Sequence, residues 1–262
     1  MEKSPRSARL YSDVSVLSVH NLKAKQQETQ ADRYKAILTV IGGFLYMSFL
    51  GCQYVVGTIS PYLALYFDVD SSATQLILPL IFVTNIFVMP VGSQLAIKMN
   101  PKVLLTIGSL IFAPMTIAST MVTSFGAFLP LFSVGFGICN GLTYMVPMQH
   151  GWLWYPERPG LISGIIIGGF GIGTFVFCLV SEHLVNPEGI SSDDQDYEQV
   201  VIENVPRMMM VLAICNIATA VASILLIFPG PDPSSVAEVA KTLSQNAPSR
   251  TVSDDRAYLI AQ

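Results

Sequence analysis

Uncharged polar residues lie within otherwise apolar stretches of this 262-residue chain. Gln53 and Tyr54 lie in the first such stretch, Gln75 lies early in the next, and Asn140 and Tyr144 lie in a later one. A buried amide or phenol costs free energy unless it forms a hydrogen bond. We therefore expect these side chains to face a partner helix or a water-filled cavity. If the first two helices meet, Gln53, Tyr54 and Gln75 place their donors toward a shared cleft.

The sequence contains no recognisable catalytic or cofactor-binding set. There is no Gly-x-Ser-x-Gly motif, no His-Glu-x-x-His motif and no phosphate-binding loop. The segment 168–173 superficially matches a dinucleotide-binding loop, but it lies inside an apolar stretch with no preceding soluble strand. The four cysteines show no Cys-x-x-Cys spacing, so they indicate neither a metal site nor a disulfide framework. We expect a protein that is not an enzyme and that uses no cofactor and no metal.

The distribution of charge indicates a membrane protein. Only 12% of the residues are Asp, Glu, Lys or Arg, about half the usual share of a soluble domain. None of these residues occurs in 36–67, 71–97, 103–156, 159–181 or 208–231. A soluble fold cannot cover its surface in this way. With a net charge of −4 the chain also lacks the basic surface of a nucleic-acid binder, so its expected surroundings are the lipid bilayer.

The absence of charge within these stretches also bears on mechanism. Ionisable groups inside a membrane are the usual mark of proton relays, voltage sensors and ion paths. No Asp, Glu, Lys or Arg is available at mid-membrane depth here. The sequence therefore argues against a proton pump, a voltage sensor and an acid-ringed cation channel.

The length of the apolar stretches predicts six spans. A membrane helix needs about 20 apolar residues, and 103–156 is long enough for two, separated by a turn at 123–126. The predicted fold is all-α and polytopic, with a six-helix transmembrane domain over 36–229. A disordered tail is predicted for 1–35, and a polar tail or linker for 230–262. The predicted spans lie near 36–58, 72–96, 103–122, 126–150, 160–183 and 208–228.

The basic residues predict the orientation. Lys and Arg are enriched in cytoplasmic loops of membrane proteins. If the N-terminus is cytoplasmic, all of the 14 basic residues except Arg207 lie on the cytoplasmic side, whereas the opposite orientation inverts this ratio. An even number of spans returns the chain to its starting side. Both termini are therefore predicted to be cytoplasmic.

The most distinctive motif extends from Gly135 to Phe177. It joins a glycine- and tyrosine-bearing helix, the loop WYPERPG at 154–160, and a glycine-rich helix. The segments GCQY at 51–54 and FPG at 228–230 agree with it, as does Gln75. In combination these residues resemble the N-terminal six-helix half of the major facilitator superfamily (MFS), in particular its oxalate/formate antiporter and monocarboxylate-transporter-like branch.

The resemblance implies a carboxylate site. In the oxalate-transporting members a glutamine and a tyrosine of helix one and a glutamine of helix two help to line the site, which implies this role for Gln53, Tyr54 and Gln75. Asn140 and Tyr144 of helix four are further candidate substrate contacts. Amide and phenol donors can bind a carboxylate without a buried charge.

The loops and glycines complete the set of candidate residues. Gating or loop roles are assigned to four charged residues, Lys98, Lys102, Glu157 and Arg158. The sequence departs from the family pattern at Ile97, where the family has an acid, and at Pro159, which replaces a basic residue. Small residues allow close helix approach. Helix packing is assigned to four glycines of the fifth span, Gly164, Gly168, Gly171 and Gly173.

Two hypotheses for the function follow. In the first, the chain is a transporter, or its N-terminal half, that moves a small carboxylate or related organic solute by alternating access. The superfamily fold has two six-helix halves, so a second bundle is expected from a homodimer, another chain or a C-terminal half. In the second, the chain is a non-transporting half-fold that acts as a membrane interaction or regulatory subunit, or it is a truncated product.

Overall fold

The computed structural model describes residues 30–191, 194 and 197–231. This part of the chain is helical and contains no strand, and it has six helices that are long and apolar enough to cross a membrane. The prediction of an all-α fold with six such helices is confirmed. We number them α1 to α6, and their bounds are Gln30–Phe67, Ser71–Lys98, Pro101–Met121, Phe125–Trp154, Pro159–Val185 and Tyr197–Leu226.

The helices extend beyond the apolar stretches at several ends. Helix α1 is described from Gln30, so it includes residues 30–35, which were assigned from the sequence to the N-terminal tail. Helix α6 is described from Tyr197 and so includes residues well before 208, where the predicted span begins. Charged residues limit the apolar span but do not stop helical hydrogen bonding, since a helix can continue into water. The remainder of the predicted tails, 1–29 and 232–262, lies outside the described residues.

Three of the helices are interrupted. A 3₁₀ turn occupies Cys52–Val55 in α1, and α2 and α4 are broken by turns at residues 75–76 and at Tyr144. Proline explains the last two interruptions, because it lacks an N–H group and its ring crowds the carbonyl four residues earlier. Pro79 removes the bond to the carbonyl of Gln75, and Pro147 removes the bond to the carbonyl of Thr143.

Helices α1 and α5 cross with their backbones in contact. A Cβ atom on Gly169 would collide with the carbonyl of Phe44, and one on Gly173 would collide with the backbone of Ser48. The Ser48 hydroxyl donates to the carbonyl of Gly169 at 2.9 Å, and the Thr174 hydroxyl donates to the carbonyl of Gly51 across the same crossing at 2.8 Å. Small residues at this crossing therefore determine how close the two helices lie.

This contact involves one of the four glycines assigned to helix packing. Gly173 lies at the crossing, but a Cβ on Gly164, Gly168 or Gly171 would have no atom of another described helix within 4 Å. Gly169 and Gly173 are one helical turn apart and share a face, whereas the other three lie on a face that no described helix covers. The glycine that the sequence-based choice missed is Gly169.

An aromatic cluster joins α1, α3 and α4. Phe49 is fully buried, and its ring centroid lies 5.1 Å from that of Phe112 and 6.2 Å from that of Phe136. Phe112 and Phe136 meet edge to face at 5.0 Å, one of the preferred arrangements of aromatic rings. This cluster holds α1 against α3 and α4, and α1 is the most buried of the six helices.

The start of α3 provides a prediction about stability. The Asn100 side chain accepts a hydrogen bond from the backbone N–H of Lys102 at 3.0 Å and so caps the helix. The Asn100→Ala variant is expected to lower the free energy of unfolding by about 1 kcal/mol, because the cap is lost. Ser124 precedes α4 without a side-chain cap bond, so Ser124→Ala serves as the control. Thermal unfolding of both purified variants compares them, and equal melting temperatures would contradict the assigned cap.

Candidate functional site

A cavity of about 450 Å³ lies near the middle of α2, α4 and α5 and beside the 3₁₀ turn of α1. Its wall combines amide and phenol groups with aromatic and aliphatic side chains, and none of the lining residues is charged. The lining residues are Gln53, Tyr54, Phe82, Asn85, Ile86, Met89, Asn140, Tyr144, Ile167 and Phe170. The structure thus places four of the five predicted substrate contacts around one cavity.

A buried hydrogen bond joins two of these residues. The Asn140 amide nitrogen of α4 donates to the Gln53 amide oxygen of α1 at 2.9 Å, and both side chains are 2% exposed. The bond leaves the N–H groups of Gln53 and the amide oxygen of Asn140 for other partners. The Asn140 oxygen has no hydrogen-bond partner among the described residues. It is therefore a buried acceptor in a residue that lines the cavity.

Aromatic rings form the more open part of the wall. Tyr54 is 40% exposed, and its ring lies 5.9 Å from the ring of Phe82 and 5.4 Å from that of Phe170. Tyr144 is half-buried and occupies the break in α4, which interrupts the helix at the cavity wall. Gln53 and Tyr54 likewise lie in the 3₁₀ turn of α1. Both helical interruptions therefore carry hydrogen-bonding side chains of this cavity.

The structure separates Gln75 from the other predicted contacts. Gln75 lies at the break near the start of α2 and lines a different cavity of about 240 Å³, together with Ser60 and Thr74. The amide that α2 contributes to the larger cavity is Asn85. Asn85 was not chosen from the sequence, although it is the amide at the middle of the second span, where transporter sites are expected.

The four charged loop residues do not form ion pairs with one another. Lys98 ends α2, and Glu157 and Arg158 are exposed between α4 and α5. The Lys102 ammonium donates to the carbonyl of Leu225 at 3.2 Å, at the end of α6. Within the described chain the ion pair found is the one between Lys35 and Asp32. Ile97, at the position of the family's acid, is 71% exposed.

The chemistry available in the larger cavity is hydrogen bonding to a polar group beside an apolar wall. Amide and hydroxyl groups can donate to an anionic oxygen without the desolvation cost of a buried cation. Among the described residues no group of His, Cys, Asp or Glu side chains is arranged to hold a metal ion. The cavity volume lies in the range that small-molecule sites occupy in proteins.

Comparison with known proteins identifies transporters as relatives. No protein-family model matches the chain. Apicoplast pyruvate carrier 1 of Toxoplasma gondii is 29% identical over 143 residues, which cover 48% of this chain and 26% of the carrier. The oxalate:formate antiporter of Oxalobacter formigenes is 28% identical over 104 residues, which cover 39% of this chain and 24% of the antiporter.

A third relative is an uncharacterized MFS-type transporter of Escherichia coli (strain K12), YhjX. It is 33% identical over 54 residues, which cover 21% of this chain and 13% of the transporter. The chain thus spans about a quarter or less of the length of the curated relatives that it matches. With its six apolar helices, the chain is a multi-pass integral membrane protein that is similar to membrane transporters.

Proposed function

We propose that the chain supplies one six-helix bundle of a transporter for small organic carboxylates, of the oxalate/formate antiporter and monocarboxylate-transporter-like branch of the MFS. The observation that carries the proposal is the charge-free cavity of about 450 Å³ near the middle of the spanning helices. Relatives named as a pyruvate carrier and an oxalate:formate antiporter support the substrate class.

In the proposed complex the substrate carboxylate accepts hydrogen bonds from the Gln53 amide and from the hydroxyls of Tyr54 and Tyr144. The bond from Asn140 holds the Gln53 oxygen at 2.9 Å, which turns the Gln53 nitrogen away from Asn140. Fixing a donor before binding reduces the entropy lost when the solute is bound. The remainder of the solute contacts the apolar side chains of the wall, such as Phe82 and Phe170.

A second bundle completes the site in this proposal. The cavity is open on one side, since Tyr54 and Phe82 are 40% and 37% exposed. Transporters of this kind bind substrate between two repeats that rock around the site. The second bundle is a second copy, another chain or a further part of the same protein, and its cationic residues balance the substrate charge. The basic residues favour cytoplasmic termini for this arrangement.

Uptake by proteoliposomes tests the proposed function. The full chain is reconstituted alone, and internal accumulation of labelled pyruvate, oxalate and formate is measured against empty vesicles and against a labelled neutral sugar. We expect saturable uptake of at least one carboxylate and none of the sugar. If the chain alone gives no flux, cross-linking in source membranes identifies its partner, and the assembly is assayed in the same way. An intact assembly without carboxylate flux would favour the non-transporting interaction subunit.

The Tyr54 hydroxyl provides a specific prediction. Tyr54→Phe retains the ring contacts to Phe82 and Phe170 but removes one donor to the carboxylate. A hydrogen bond to a charged group is worth about 1.5–3 kcal/mol, so the KM for the proposed carboxylate substrate is expected to rise about tenfold or more. Tyr66, which packs on Phe67 away from the cavity, supplies the matched control Tyr66→Phe. Equal KM values for the two variants would remove Tyr54 from the site.

A further inference from the structure

An apolar groove lies between α3 and α6, apart from the candidate substrate cavity. It has a volume of about 220 Å³. Its lining is almost entirely hydrocarbon, with the hydroxyl-bearing Thr106 and Ser109 among the α3 residues. Leu110, Val221 and Leu225 border the groove and are 66%, 52% and 66% exposed, so no described helix covers it. In a membrane this face contacts lipid.

A cation lies at one end of this groove. Lys102 precedes Thr106 by one helical turn, about 6 Å along α3. The Lys102 ammonium lies 3.2 Å from the carbonyl of Leu225, a groove residue, and 4.4 Å from the ring centroid of Phe228. These contacts hold the charge at the end of the bundle where α6 terminates and α3 begins.

The charge of Lys102 is not neutralised by an acid within the described chain. Its contacts are a backbone carbonyl and an aromatic ring, and the ion pair among the described residues joins Lys35 to Asp32. An ammonium has three N–H donors, and the Leu225 carbonyl takes one of them. The others remain for an anionic oxygen outside the bundle.

From this juxtaposition we infer that the groove between α3 and α6 is a binding site for an anionic phospholipid. The phosphate accepts from the Lys102 ammonium, and one acyl chain lies in the groove. The groove runs from Thr106 to Ala113 along α3, about 10 Å, or roughly a third of the hydrocarbon thickness. Basic side chains between membrane helices near the bilayer surface are a recognised way of holding anionic headgroups.

The test measures lipid binding by the purified full chain in neutral detergent. Phosphatidylglycerol and phosphatidylcholine with identical acyl chains are added, and bound lipid is counted by native mass spectrometry. Lys102→Gln removes the charge but keeps an amide donor for the Leu225 carbonyl. Lys98→Gln removes an exposed basic residue at the end of α2 and is the matched control. Ala113→Phe fills the groove and leaves the charge in place.

We expect the wild-type chain to bind phosphatidylglycerol about fivefold more tightly than phosphatidylcholine, because one basic residue near the surface contributes a factor of this size. Lys102→Gln is expected to abolish this preference, and Lys98→Gln is expected to retain it. Ala113→Phe is expected to weaken binding of both lipids several-fold. Glycerol 3-phosphate, which has the headgroup anion without acyl chains, is expected not to compete.

Several results would overturn the lipid site. One is a full phosphatidylglycerol preference in Lys102→Gln, and another is unchanged binding in Ala113→Phe. Competition by glycerol 3-phosphate at the concentration of the lipid would reduce the site to a phosphate contact. If Lys102→Gln does not yield folded protein, the Ala113→Phe variant and the competition experiment still test whether the groove binds the lipid.

Discussion

The Gly169→Ala variant is expected to destabilise the helix bundle by about 3 kcal/mol, the upper end of the usual cost of overpacking. The added methyl group would overlap the backbone carbonyl of Phe44. A backbone carbonyl cannot move aside as a flexible side chain can, so α1 and α5 must separate. Separation also lengthens the bond from the Ser48 hydroxyl to the Gly169 carbonyl, now 2.9 Å. Thermal unfolding of the purified chain in detergent measures the loss.

The neighbouring position supplies the control for this experiment. A Cβ on Gly168 would have no atom of another described helix within 4 Å. Gly168→Ala should therefore leave the melting temperature unchanged, or raise it, since alanine favours a helix over glycine by about 1 kcal/mol. The two variants differ by one position and carry the same added methyl group. Equal melting temperatures would mean that the α1–α5 crossing is not the tight contact described above.

Gln53→Met is expected to lower the affinity for the proposed carboxylate substrate at least tenfold. Methionine is close to glutamine in length and shape, so the packing of α1 is largely retained. The variant loses the Gln53 donors to the substrate, and hydrogen bonds to a charged group are worth about 1.5–3 kcal/mol. It also leaves the amide nitrogen of Asn140, bonded to Gln53 at 2.9 Å, without its partner. The KM for carboxylate uptake by proteoliposomes is the measurement.

Gln75→Met is the matched control for this prediction. It makes the same chemical change in a neighbouring helix, but Gln75 is exposed and lines the smaller cavity with Ser60 and Thr74. We expect a change in KM of less than about twofold, because no hydrogen bond to the proposed substrate is removed. A large effect of Gln75→Met together with a small effect of Gln53→Met would move the proposed substrate site to the smaller cavity.

The number and type of the helices followed from the sequence because the signal is local. A stretch of about 20 apolar residues without charge matches the thickness of the bilayer wherever it lies in a chain. At α1 and α6 the helix extends beyond the charge-free stretch on its N-terminal side, to Gln30 and Tyr197. Charged residues therefore mark the limits of the membrane-spanning segment better than they mark the ends of the helix.

The sequence predicted which types of residue line the candidate site, but only some of the individual residues. The cost of an unpaired amide in an apolar helix singles out Gln53 and Asn140 without any knowledge of the fold. The same reasoning applies to Gln75 and Asn85 and does not distinguish them. Gln75 and Asn85 line different cavities because they lie at different heights along α2. The ten positions between them correspond to about 15 Å along the helix.

The tertiary structure alone decided which residues meet. The bond between Gln53 and Asn140 joins positions 87 residues apart, and it depends on how α1 and α4 are rotated and how far each is displaced along its axis. Gly168 and Gly169 are alike in sequence, but only Gly169 faces the backbone of α1. A helix turns by about 100° per residue, so neighbouring positions point in different directions. The distribution of charge and the length of the apolar stretches determined the six apolar helices, and the packing of those helices determined which polar groups share a cavity.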